Sequence, residues 1–167
     1  RRSGCGLAYG KPGTTHSHDS AWPLEGQTQG AQRAEVRTAL RWALWSWCKQ
    51  IYIADNDYVH KGIQSIIRGK PLRFKAHADL WHRMKRAIEI KGRDNFRSTR
   101  VDSHQSKDRI ENETEQEGKL RKANEAADKL AVDGADQRKP PDELVQRRNY
   151  EVKRAQAVQK IRLKIYS

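Results

Sequence analysis

Ile51-Tyr52-Ile53-Ala54-Asp55-Asn56-Asp57-Tyr58-Val59-His60-Lys61-Gly62-Ile63 is the stretch whose reading decides the fold. Its first four residues make a short apolar run, which reads as a strand buried on both faces. A carboxylate, Asp55, stands at the end of that run. Asp57 can cap a following helix whose apolar positions are Val59, Ile63 and Ile66 or Ile67, three or four residues apart. An acidic side chain thus sits at the C-terminal edge of a strand, beside a helix start. That edge is where open α/β sheets bind ligands. Taken alone, Asp55 reads more readily as a turn residue.

Upstream, Gln32 to Cys48 reads as a helix with Val36, Leu40, Ala43, Leu44 and Trp47 along one stripe. Glu35 falls in its first turn, where the helix dipole favours a carboxylate. Trp42 and Trp45 lie off the stripe and read as secondary packing. Before it, Gly4 to Gly10 and Ser20 to Gly26 are strand candidates of an antiparallel hairpin, turned by Lys11-Pro12-Gly13. Pro23 places the second at an edge.

Downstream, Gly69-Lys70-Pro71 ends the helix after Asp57, and Leu72 to His77 is a basic connector. A helix from about Ala78 puts Leu80, Trp81, Met84 and Ile88 on one face. Phe96 to Val101 is a last strand, with His104 just beyond it. Gln105 to Lys119 is polar and reads as a mobile loop. Leu120 to Gly134 is a helix with Leu120, Ala123, Ala127, Leu130 and Ala131 inward, Gly134 as its C-cap and Asp128 along it. Lys139-Pro140-Pro141 marks a boundary between a domain at 1–137 and a tail at 138–167. Asp142 to Ile165 can form a basic amphipathic helix.

A chain of 167 residues has room for one domain with a real core. No apolar run is long enough to cross a bilayer, and Arg1-Arg2-Ser3 lacks the apolar stretch of a signal peptide. Cys5 and Cys48 suggest neither a disulfide framework nor a zinc site. An intracellular protein of cytoplasm or nucleus, with no membrane partner, is the expectation. The net charge is +13 and unevenly placed. His60 to Arg100 holds twelve Lys/Arg against three acids, and Arg138 to the end holds nine against three. Such clusters are the footprint of a polyanion partner, nucleic acid first.

In this order the chain resembles ribonuclease H, including the domains carried by retroelement reverse transcriptases. Gly30-Ala31-Gln32-Arg33-Ala34-Glu35 is similar to the family's segment ending Arg-x-Glu. Ile53-Ala54-Asp55-Asn56-Asp57-Tyr58-Val59 resembles its Thr-Asp-Ser-x-Tyr-Val word, and Asp79-Leu80-Trp81 its Asp-Leu-Trp helix start. Ala123-Asn124-Glu125-Ala126-Ala127-Asp128-Lys129-Leu130-Ala131 resembles its Asn-x-x-x-Asp-x-Leu-Ala helix. The resemblance runs from about Gly4 to Asp136.

It implies an α/β, three-layer ribonuclease H-like fold, a mixed sheet with helices on both faces. It implies a metal-dependent endonuclease that hydrolyses the RNA strand of RNA–DNA hybrids. Glu35, Asp55 and Asp128 would hold two Mg²⁺ ions, with Mn²⁺ as a substitute. Mg²⁺ is hard and takes oxygen ligands. His104 would serve proton transfer or product release. Gln32, Asn56, Lys61, Lys70, Arg73 and Lys75 would contact the nucleic acid. The chain departs from the family in lacking the first central strand and its Asp, which Asp19 does not match. Asn56 replaces a Ser or Thr, and Asp102-Ser103-His104 replaces a Lys-Gly-His type word. The alternative is an inactive ribonuclease H-like module that only binds nucleic acid.

Overall fold

The computed structural model describes residues 3–10, 19–25, 30–45, 48–73, 76–101, 113–137 and 141–165. The chain is a mixed α/β protein with helices and two small sheets. Strand β1 (Gly4–Leu7) pairs antiparallel with β2 (Ser20–Pro23), Gly4 opposite Pro23 and Leu7 opposite Ser20. The Asp19 carboxylate accepts the Tyr9 amide at 2.7 Å and so ties the two arms together beyond the ladder. Helix α1 (Ala31–Trp45) leads to β3 (Gln50–Ala54), and α2 (Asp57–Ile67) and α3 (Ala78–Lys91) lead to β4 (Phe96–Arg100). β3 and β4 are parallel, Gln50 opposite Phe96 and Ala54 opposite Arg100. Helix α4 spans Glu115–Asp136.

A mixed sheet without its first central strand was expected, and the described strands form two separate pairs. No described strand lies between β1 and β3, so nothing joins the ladders.

The core gathers where the helix stripes meet. Val36, Ala39 and Leu40 of α1, Val59, Ile63 and Ile66 of α2, and Leu80, Trp81, Met84 and Ile88 of α3 are buried together with Phe96. Gly62 lets the Trp81 ring lie flat on α2, since a Cβ there would strike the indole. The Trp81 Nε1 donates to the Tyr58 hydroxyl at 2.9 Å, and that hydroxyl donates to the Ala76 carbonyl at 2.7 Å. A buried indole N–H needs such a partner.

Several expectations are corrected. Trp42 is core, 3% exposed, stacked at 5.0 Å on Tyr52 and edge-on at 5.3 Å to Phe96. Leu44, placed on the stripe, is exposed, because α1 ends one residue later. Trp47 lies outside the described residues. Of β3 only Ala54 is buried, while Ile51 is 59% exposed, because one of its faces has no cover. Asn56, not Asp57, caps α2, its side-chain oxygen accepting the Tyr58 amide at 2.8 Å. Helix α4 starts inside the expected loop, since Thr114 and Glu117 form a capping box there. Gly134 is no C-cap: α4 continues to Asp136, and Gly134 lies against the Trp22 backbone.

β1 carries a helix on each face. Cys5 and Leu7 point to α1, where the Cys5 thiol meets the Ala34 carbonyl and Leu7 joins the core. Gly4 and Gly6 point to α4, close enough that a Cβ on either would collide with its backbone at Ala131 and Ala127.

Residues 138–167 form a separate unit holding α5 (Asp142–Ile165), on which Leu144, Tyr150 and Val152 are exposed.

Gly6→Ala should therefore cost about 1–3 kcal/mol of stability through overpacking against α4. Gly30→Ala, with nothing within 4 Å of its added Cβ, should change stability by less than about 0.5 kcal/mol. Urea denaturation of both variants checks this.

Candidate active site and basic groove

Glu35, Asp55 and Asp128 line one cavity of about 410 Å³. Each is fixed by a different local device. Glu35 rides in the second turn of α1, between buried Ala34 and buried Val36. The first-turn placement is corrected, since α1 begins at Ala31 and carries no acid in that turn. The buried Thr38 hydroxyl donates to the Ala34 carbonyl at 3.0 Å, satisfying itself within the helix. Asp55 directly follows the last rung of the parallel ladder, where the Val101 amide donates to the Ala54 carbonyl at 2.9 Å. Asn56 then caps α2, so Asp55 is held between a sheet end and a helix start. Asp128 is exposed on α4, with the Asn124 amide 3.5 Å from its carboxylate. Gly4 and Gly6 form part of the wall, which is why α4 can stand this close.

The electrostatics are those of crowded carboxylates. Burial, the Asp55 charge and the Asp128 charge push the Glu35 carboxyl up to about 7, while a hydrogen bond from Asn56 works in the other direction. The Glu35 Oε2 atom is buried without a hydrogen-bond partner. A buried, unsatisfied carboxylate oxygen facing two further acids suits a hard cation, and the donors are all oxygen. The spacing is less accommodating. Among the described residues no three His, Cys, Asp or Glu side chains gather tightly enough to hold one metal ion. Glu35, Asp55 and Asp128, which share the cavity, are the residues that would hold a cation. Asp19 does not line the cavity.

The nucleic-acid contacts divide. Lys70 and Arg73 line a depression of about 570 Å³ with Lys61, Ser65 and Pro71. A neighbouring one of about 550 Å³ shares Lys61, Ser65 and Lys70 and adds Asp57, His60, Gln64, Arg68 and Arg100. Together they make a basic groove along α2. Lys61 and Arg100 both pair with Asp57. His60 meets the Ser98 hydroxyl at 2.8 Å, and Gln64 donates to the Ser98 carbonyl at 2.9 Å, fastening α2 to β4. Gln32 is exposed on α1 and lines neither the acidic cavity nor the groove. Asn56 has a structural duty as the cap. His104 and Lys75 lie outside the described residues.

Arg68, His60 and Arg100 were not singled out from sequence. For Arg100 the signal was available: in-register parallel pairing puts the residue opposite Ala54 next to Asp55.

No known protein family and no curated protein matches the chain. A solved structure of prototype foamy virus protease–reverse transcriptase matches with a TM-score of 0.46 and 20% identity, over 80% of this chain and 20% of that one. The chain thus spans about a fifth of that structure's length.

The Glu35 carboxyl titrates higher in the fold than its ordinary 4.5. Its contribution therefore favours the fold fully below about pH 4.5 and is lost as pH rises through about 7. Between these limits stability should fall by about 1–3 kcal/mol. Glu35→Gln should flatten that slope and melt higher than the parent at pH 8. Millimolar Mg²⁺ at pH 8 should raise the parent's midpoint and leave the Gln variant unmoved. Thermal melts across pH read both.

Proposed function

We propose that this chain is a metal-dependent endonuclease domain of the ribonuclease H type, cutting the RNA strand of RNA–DNA hybrids. The observation that supports it is the shared cavity of Glu35, Asp55 and Asp128, drawn from α1, the end of β3 and α4. Their order in sequence is the one the motifs imply. Bound divalent ions would supply an activated water and a counter-charge at phosphorus. The chain's own residues do the rest. Asp55 is held at the ladder end and lends a fixed negative charge. Glu35 is half protonated near neutrality, so taking up a cation releases its proton. Arg100, Arg68, Lys70 and Arg73 track the phosphates beside that end, and hybrid selectivity would come from shape and 2′-hydroxyls.

A second reading, an inactive module of the same kind that only binds nucleic acid, is favoured by one observation: the three carboxylates do not close around a single ion. Incubating a labelled RNA–DNA hybrid with Mg²⁺ separates the two. The endonuclease reading expects RNA-strand cleavage that Asp55→Asn lowers at least about 10²-fold, with hybrid affinity kept. Binding without any cleavage selects the second reading. Reversing the charge of Arg68, Lys70 and Arg73 together should flatten the plot of log affinity against log salt by about 2–3. An unchanged slope moves the interface away from this groove.

A further inference from the structure

Arg41 and Trp45 stand about one turn apart on α1 and line neither the acidic cavity nor the basic groove. The Arg41 guanidinium lies over the Trp22 ring of β2 and over the Trp45 ring, its carbon 4.1 Å from each centroid. Arg37, about one turn earlier on the same face, is paired with Glu25 at 3.3 Å. Arg41 has rings where Arg37 has an acid, and its Nε is buried without a hydrogen-bond partner.

A guanidinium is always charged, and its N–H donors lie in its own plane. Indoles stacked on its faces stabilise the charge but leave those donors unused. What remains for a ligand is the edge of the fork, the side that takes a phosphate through paired N–H···O bonds.

Trp45 supplies the second half. Expected as secondary packing, it is 51% exposed. Arg41 takes one face of its ring, so the open area includes the other. An open indole face beside a held cation stacks a nucleic-acid base while the cation takes the phosphate. In a duplex, neighbouring bases cover both faces of each base, so the ligand is an unpaired one. The platform is also well anchored. Lys91 donates to the Ala43 and Leu44 carbonyls and so closes the last turn of α1.

We propose that Arg41 and Trp45, backed by Trp22, form a binding site for an unpaired base of single-stranded nucleic acid and its phosphate. The site does not rest on the nuclease reading, and an inactive module would carry it equally.

The test is fluorescence anisotropy of two end-labelled strands on the full chain: a short oligothymidylate, and an abasic strand with the same number of phosphates. The basic groove meets equal charge in both, so their difference isolates stacking. The oligothymidylate should bind about 5-fold or more tightly than the abasic strand. Trp45→Ala should erase that ratio, and Trp45→Phe, which keeps an aromatic face, should retain part of it. Trp45 ends α1 in the open, so both variants should melt with the parent. Arg41→Gln should weaken both strands and flatten the plot of log affinity against log salt by about 0.7, the value for one phosphate of a single strand. Equal affinity of the parent for the two strands would overturn the proposal. So would a ratio that survives Trp45→Ala, since the base would then stack elsewhere. Tighter binding of a capped oligoglutamate than of the oligothymidylate, lost in Arg41→Gln, would overturn it in favour of an acidic protein partner.

Discussion

The close approach of α4 to β1 is the constraint on which the acidic end depends. Three glycines make it possible. Gly4 and Gly6 present bare backbone to the helix, and Gly134 presents bare backbone to Trp22 of β2. Without side chains between them, strand and helix can touch, as larger residues would forbid. That contact sets where Asp128 stands relative to Glu35. The catalytic reading thus rests on residues that carry no chemistry. Gly134, where α4 meets the Trp22 backbone, is accordingly buried outright.

Much of the helical layout was legible in the sequence, because spacing there is a direct record of burial. Val59, Ile63 and Ile66, and Leu80, Trp81, Met84 and Ile88, are buried as their periodicity implies. Other features were hidden because they depend on neighbours distant in sequence. Trp42 was read as peripheral since it lies off the α1 stripe, yet Tyr52 and Phe96 arrive from two strands to cover it. Ile51 was read as buried since its neighbours are apolar, but a strand's burial needs a cover on each face, and no local pattern reports a missing one. The capping box of α4 was written plainly in Thr114 and Glu117, and the surrounding polarity masked it.

The site was legible in part for a similar reason. Asp55, a carboxylate just past a strand end, can be read from order alone, whereas Glu35 and Asp128 on their helices were named through the motif resemblance. The mutual spacing of the three cannot be read in either way, because it is set by the β1–α4 contact and the gap beside β3. The basic groove shows the same division. Lys61, Lys70 and Arg73 stand in a visibly basic stretch, while Arg100 reaches the groove only through strand register.

The charges at the two sites pull on Glu35 in opposite directions. Burial and two neighbouring acids already hold its proton to about pH 7. A phosphate backbone laid along Arg68, Lys70 and Arg100 would add negative charge nearby and tighten that proton further. A divalent cation would loosen it. Under the proposed function the two ligands are therefore linked through one carboxyl: a polyanion arriving alone keeps Glu35 neutral, and a cation arriving with it frees the carboxylate. Since binding energies couple reciprocally, nucleic acid and metal each oppose the other's arrival through this one proton. Raising the pH above 7 weakens that coupling, because the proton has already left.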